Sequence, residues 1–301
     1  MTTSPFSATL IDLLGELQKQ SMPAALYVVA TPIGNVADIT LRALYILHEA
    51  DLIACEDTRN SNHLLQRYGI AKPLLAVHQH NEQEAAQGII DKIAAGQRVA
   101  YISDAGTPGI SDPGARLVEA VRAAHLPIMP LPGASAVITA LSVAGQLADT
   151  FSFIGFLPSK SKQRQHTLKQ WQTSPGTLAL YEAPHRIHEL LADIATVLGT
   201  ERRIVIAREL SKLFETFYCG NVATVQAQLK ADPHAEKGEL VVLIGAALNE
   251  AEDQTAARLL LQKLIAPLGI KEASKLVAEL TGLPKNQLYE WGLAMHKNHD
   301  E

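Results

Sequence analysis

Twelve residues from Ser103 to Gly114, SDAGTPGISDPG, hold three glycines, two prolines and two aspartates directly after the apolar run Val99, Ala100, Tyr101, Ile102. Glycine permits positive φ and close backbone approach, and proline stiffens the path. A loop at the carboxyl end of a strand lies where open α/β sheets take ligands. An ordinary connection there would use about two to six residues. The glycines at 106, 109 and 114 do not follow G-x-G-x-x-G, and no G-x-x-x-x-G-K-[ST] occurs, so neither phosphate-cradle fingerprint applies. The loop predicts a ligand held without a diphosphate grip.

Two shorter loops repeat the theme, Thr31-Pro32-Ile33-Gly34-Asn35 and Pro132-Gly133-Ala134-Ser135. Each taken alone reads better as a plain turn. With the long loop they line the carboxyl ends of the first, fourth and fifth strands of one sheet, which makes a ligand edge. Further along, Tyr181–Glu189 (YEAPHRIHE) and Arg208–Glu215 (RELSKLFE) follow strands and bring charge. The titratable set on these loops is Glu56, Asp57, Arg59, Asp104, Glu182, His185, Arg186, Arg208, Glu209 and Lys212. Glu182 with Arg186 has the spacing of a helix-start ion pair. His78 and His80 flank Gln79, but without a neighbouring acid or cysteine cluster they predict no metal site. There is no G-x-S-x-G nucleophile elbow.

These loops need strands behind them. β-branched runs at Leu26–Thr31, Leu52–Asp57, Leu74–His78, Val99–Ser103 and Pro127–Pro132 alternate with helical stretches, the pattern of a parallel sheet covered by helices. Asp38 and Asn81 are expected to cap two of those helices, and Gly114 stands before a third. From Phe151 a second series, FSFIGF, TLALYEA, RIVIARE, ETFYCG and ELVVLIG, includes hairpin-length gaps and predicts a mixed sheet. The expected organisation is an amino-terminal extension at 1–23, an α/β domain at 24–148, a second at 149–248 and a helical segment at 249–301. In the last, Lys271–Met295 reads as helix, turn at Thr281-Gly282-Leu283-Pro284, helix. Ala278, Gly282 and Leu288 then take the packing, turn and core places of a helix-turn-helix, or those of a helical hairpin.

At 301 residues and 47% apolar content the chain buries a full core. Cys55 and Cys219 fit no C-x-x-C spacing, which suits a reducing, cytoplasmic setting. The apolar run Leu240–Leu248 is too short to span a bilayer, and the start lacks the pattern of a secretory signal. A net charge of -5 argues against indiscriminate nucleic-acid binding. From Glu250 onward six Lys or Arg oppose eight Asp or Glu, so the tail is no DNA clamp. The densest basic run is Lys160, Lys162, Arg164 and Lys169, read either as a phosphate track or as a solvated helix face.

Taken in order, LYVVATPIGN, ACEDTR, SDAGTPGISDPG, LPGASA, FIGFLP, YEAPHR and GELVVLIG closely resemble the ribosomal RNA branch of the tetrapyrrole methylase fold family. The resemblance spans Leu26 to Gly245, and the tail is similar to the helical segment of the same proteins. It implies two α/β domains with S-adenosylmethionine folded in the cleft between them, a homodimer, and 2'-O-methylation of a cytidine in 16S rRNA of the small ribosomal subunit. It also implies cofactor contacts from Thr31, Pro32 and Gly34, from Asp104, Ala105, Gly106 and Thr107, from Pro132, Gly133 and Ser135, and from Tyr181 and Glu182. Thr107 stands where the tetrapyrrole enzymes usually have Asp, and Glu182 where they have Met; both departures speak against a porphyrinoid substrate.

Attack by a ribose hydroxyl requires alignment and loss of a proton. Glu182 or Asp104 is expected as the base, and Arg186 or Lys212 as the group holding the adjoining phosphate. Methyl transfer to a small molecule or protein side chain stays open, because a fold does not set its substrate. So does a non-enzymatic module that senses the cofactor and binds a partner through its tail.

Overall fold

The computed structural model describes residues 5–78, 81–247, 250–281 and 283–297. Gln79, His80, Gly282 and the expected boundary pair Leu248 and Asn249 lie outside the described residues. The chain forms two compact units, one from its start to Gln172 with Gly176–Gly245, the other from Thr173–Pro175 and the chain from Ala246 onward.

In the larger unit α1 (Pro5–Gln18) precedes β1 (Leu26–Val29). There follow α2 (Leu41–Glu49), β2 (Leu52–Cys55), α3 (Thr58–Arg67), β3 (Leu74–Ala76), α4 (Glu82–Ala94), β4 (Val99–Ile102), α5 (Ala115–Ala123), β5 (Ile128–Leu131) and α6 (Ala136–Ser142). The five strands run parallel in the order β3-β2-β4-β1-β5. Burial on both faces explains their near-continuous apolar sequences. Tyr27, Ile53, Ala100 and Ile102 pack under Ala43, Ile46, Leu47 and Leu65, while Leu26, Ala54, Val99 and Tyr101 pack under Ile89, Ile93, Leu117 and Val121. Pro130 lacks the N–H that a central strand needs, and β5 is an edge.

The second sheet is built from β6 (Phe151–Phe156), α7 (Ser161–Gln170), β7 (Thr177–Glu182), α8 (Ile187–Leu198), β8 (Arg203–Arg208), β9 (Thr216–Asn221), α9 (Val222–Ala231) and β10 (Leu240–Ile244). Its order is β6-β7-β10-β8-β9, parallel between β6 and β7 and antiparallel elsewhere, so the expected mixed sheet is found. One face packs Leu178, Leu180, Ile204, Ile206 and Val242 on the helices α7, α8 and α9. The other presents Ala179, Ala207, Val241 and Leu243 to Val137, Ala140 and Leu141 of α6.

Three expectations are corrected. Asp38 caps no helix: Asn35 Oδ1 accepts from Ala37 N at 3.0 Å to start a 3₁₀ turn, and Thr40 Oγ1 accepts from Ala43 N at 3.1 Å to start α2. Asn81 precedes α4 without a side-chain cap, because its amide is used by His78 N and the Ala76 carbonyl. Arg164 is no surface cation, being 0% exposed with Nε donating to Asp193 Oδ2 at 2.6 Å. It sits on the inner face of α7, where its long stem packs beneath α8 and its head finds a carboxylate.

The smaller unit contains α10 (Glu250–Thr281), broken at Gly269 (φ 74°) just after Pro267, and α11 (Lys285–Lys297). The helices predicted on either side of 281–284 are present. Leu288 is buried in a cluster with Ala257, Leu261, Ala273 and Val277, and Ala278 packs against it. Arg258 lies over the Trp291 ring at 4.3 Å.

Candidate functional site

The long loop after β4 folds back on its neighbours. Thr31 and Gly106 exchange two backbone hydrogen bonds of 2.9 and 3.0 Å, and Thr31 Oγ1 donates to the Ser103 carbonyl at 3.1 Å. Thr107 Oγ1 donates to the Ala134 carbonyl at 3.0 Å, which joins the loop to Pro132–Ser135. Gly114 has φ 125°, and a Cβ there would stand 2.3 Å from Tyr101 Cε1, so only glycine fits. Its N–H and that of Leu117 both donate to buried Glu82 Oε1 at 3.0 Å, which secures the start of α5. The three loops are thus one hydrogen-bonded assembly at one edge of the parallel sheet.

Facing that edge, the second sheet turns Tyr181, Ala207 and Val241 toward it, and a cavity of about 340 Å³ lies between. Ile33, Ala105, Gly106, Thr107 and Ser135 line it from the first sheet, and Tyr181, Glu182, Ala183, Leu210 and Glu239 from the second. Its polar groups include three carboxylates, Asp112, Glu182 and Glu239. Among the described residues no Lys, Arg or His lines it.

Glu182 ends β7 and is 2% exposed. Its Oε1 accepts from Ala183 N at 2.8 Å, and Oε2 has no hydrogen-bond partner. Burial pushes this carboxyl above the ordinary glutamate value, against the Ala183 hydrogen bond and the charges of Arg186, Arg164 and His185. Arg186 Nε lies 3.1 Å from Glu182 Oε1 without hydrogen-bond alignment, while Nη2 donates to the Leu157 and Pro158 carbonyls at 2.9 and 3.1 Å. Asp112 is likewise raised by burial, opposed by a Ser103 hydrogen bond and reinforced by Asp104.

Of the sequence-derived site residues, Ala105, Gly106, Thr107, Ser135, Tyr181 and Glu182 come together on the lining. Thr31, Pro32, Gly34, Asp104, Pro132, Gly133, Arg186 and Lys212 do not line it. Gly133 and Gly34 work by close approach: a Cβ on Gly133 would meet Ala30 Cβ at 2.6 Å, and one on Gly34 would meet Lys212 Cγ at 2.5 Å. Asp104 is exposed and accepts from Asn60 Nδ2 at 2.8 Å. Lys212 Nζ donates to Glu209 at 2.7 Å and Glu239 at 2.9 Å. Ser211 Oγ donates to Asp38 Oδ2, a second tie between the loop after β8 and the loop after β1.

Asp112, Glu239 and Phe156 are lining residues that sequence reasoning missed. Asp112 belongs to the glycine-rich loop after β4; Glu239 carries no local signal. Phe156 had one, the F-I-G-F run in which two phenylalanines at odd spacing surround a glycine, a mark of a strand bulge.

Residues 25–226 match the tetrapyrrole (corrin/porphyrin) methylase family, and residues 251–296 match the RsmI C-terminal HTH domain. Ribosomal RNA small subunit methyltransferase I of Pasteurella multocida (strain Pm70) is 47% identical over 91% of this chain and 98% of its own length. Among solved structures, the methyltransferase CobJ superposes with a TM-score of 0.56 at 22% identity over 74% of this chain and 94% of its own. Uroporphyrin-III C-methyl transferase from Thermus thermophilus, complexed with S-adenyl homocysteine, does so with a TM-score of 0.51 at 18% identity over 73% and 96%. These structures share the fold, and the sequence relatives carry the closer kinship: the chain belongs to the ribosomal RNA small subunit methyltransferase I family, built on the tetrapyrrole methylase fold.

Proposed function

We propose that this chain transfers a methyl group from S-adenosylmethionine to the 2'-hydroxyl of a cytidine ribose in 16S rRNA of the small ribosomal subunit, acting in the cytoplasm as a homodimer. One observation carries the cofactor: three carboxylates face the cavity, two of them backed by Arg186 and Lys212 from outside it, and no cationic side chain is on its lining among the described residues. A ligand bearing a sulfonium and an ammonium suits such a lining, whereas a nucleoside diphosphate would face repulsion there. The Thermus protein of the same fold is complexed with the demethylated product of that cofactor. The rRNA substrate is that of the relatives' name.

Bound S-adenosylmethionine would supply an electrophilic methyl group. The loops at 31–35, 103–114 and 132–135, tied to one another by hydrogen bonds, hold a fixed ligand geometry. Such orientation is worth up to roughly 7–11 kcal/mol in well-aligned intramolecular reactions. Glu182 is the proposed base: it is on the lining, its Oε2 is uncommitted, and burial raises its affinity for a proton, as a general base requires. Arg186 lies beside Glu182 with its guanidinium committed to the Leu157 and Pro158 carbonyls, and Lys212 is engaged by two carboxylates, so the RNA phosphates are assigned to exposed Lys160, Lys162 and Lys169.

The test is transfer from labelled S-adenosylmethionine to small subunits from a strain lacking this protein, with nucleoside analysis. The expected product is 2'-O-methylcytidine. Label appearing on a base, on protein or nowhere would refute the ribose assignment, and a monomer in sedimentation would remove the dimer.

A further inference from the structure

The edge strand β6 departs from regular pairing with β7. Phe153 pairs with Ala179, Gly155 with Leu180 and Phe156 with Tyr181, so Ile154 is an inserted residue, and Gly155 takes φ 67°. In a regular strand residues 153 and 156 would point to opposite faces. The bulge cancels that alternation and puts both on the ring of Tyr181. Phe153 meets it edge-on at 5.0 Å and Phe156 at 5.6 Å with the planes tilted by 58°. Ile154 packs with the core beneath the helices.

The re-aimed Phe156 ring stands on the lining of the cavity, and the residue is 57% exposed. Its backbone is held from behind: Arg186, 3.1 Å from Glu182, donates to the carbonyls of the next two residues, Leu157 and Pro158. One guanidinium therefore spans the proposed base and the strand end carrying Phe156. Bulges next to active sites re-aim side chains, and single-stranded RNA is held by stacking splayed bases on aromatic rings. We propose that Phe156 is a positioning residue that stacks the base of the nucleotide undergoing methylation, placing its ribose at Glu182. This role rests on the RNA methylation proposed above.

The experiment uses the full chain with Phe156→Ala, Phe156→Leu and Phe156→Trp, small subunits as substrate, and S-adenosylhomocysteine affinity measured separately by calorimetry. Stacking predicts that Phe156→Ala lowers kcat/KM for subunits by roughly 10- to 100-fold, mainly through KM. Phe156→Leu should fall with it, Phe156→Trp should stay near wild type, and S-adenosylhomocysteine affinity should hold within about twofold throughout. Phe156→Leu matching wild type would reduce the residue to an apolar rim and overturn the proposal. Loss of S-adenosylhomocysteine affinity in parallel with activity would assign the ring to the cofactor and overturn it equally. If the unaltered chain places no methyl on RNA ribose, the reaction itself is misassigned; if it does and only the variants disagree, the stacking role alone falls.

Discussion

Two buried ion pairs lie in the second α/β half. In the first, Arg164 at 0% exposure donates to Asp193 and to the Ser159 carbonyl, and Asp193 also accepts from Ser161 and Gln165. Burial alone would raise the Asp193 carboxyl, but the hydrogen bonds from Gln165, Ser161 and Arg164 outweigh it and hold the group below the ordinary aspartate value. In the second, Glu182 at 2% exposure has one oxygen without a partner and an Arg186 whose Nε is misaligned, and its carboxyl is held above its ordinary value. A satisfied pair joins α7 to α8; an unsatisfied one borders the cavity. A buried carboxyl that lacks a partner and borders a cavity is the kind of group in which functional sites are enriched.

The sharpest way to break this contrast is Glu182→Gln. Loss of a general base predicts a fall in turnover of about 10²- to 10⁴-fold, with S-adenosylhomocysteine affinity little changed; single-turnover methyl transfer measures it. The same variant should unfold at a higher temperature than wild type at pH above the raised value of the folded carboxyl. Folding raises this carboxyl, so its contribution is full below the unfolded value and is lost as pH rises through the folded one. The activity of wild type should conversely climb as pH rises through that raised value, and a flat acid limb would disqualify Glu182.

Arg164→Ala belongs to the other side of the comparison. It leaves the buried Asp193 carboxylate without its counter-charge, held only by Ser161 and Gln165, at a cost of about 3–5 kcal/mol, readable as a lower urea midpoint. Asp193 has the opposite pH sign to Glu182: its contribution is present above the unfolded aspartate value and is lost as pH falls through the lowered folded value. Acid unfolding should therefore shift in Asp193→Asn and not in Glu182→Gln.

Gly155→Ala asks a smaller question. The positive φ costs about 1–2 kcal/mol for an L-residue, and the new Cβ would stand 3.0 Å from Ser111 Oγ. Stability should drop by that amount while KM for subunits rises as Phe156 is displaced. The smallest effect is expected from Lys160, Lys162 and Lys169 changed together to Gln. Binding should weaken modestly, and the slope of log affinity against log salt should flatten by about 0.7 for each phosphate that is no longer neutralised. An unchanged slope would make these lysines a solvated helix face.

Much of the architecture is legible in the chain itself. Apolar runs of strand length locate the strands, because a parallel sheet buried on both faces leaves no polar alternation to confuse them. Glycine and proline at 103–114 mark the loop that lines the cavity, because positive φ and close approach leave a compositional trace. Side-chain surroundings leave no such trace. Arg164 reads like Lys160 and Lys162 in a basic run, and only the packing of α7 on α8 turns it inward to Asp193. Asp38 has the chemistry of a cap, yet Asn35 and Thr40 stand at the helix starts. Glu182 and Glu239 are remote in sequence and meet on one cavity lining because β7 pairs antiparallel with β10. Sequence determines what a residue can do locally, through its φ preferences and its hydrophobicity; which charges share a low-dielectric cavity, and which of them lack a partner, is a long-range property decided only when the sheets pack.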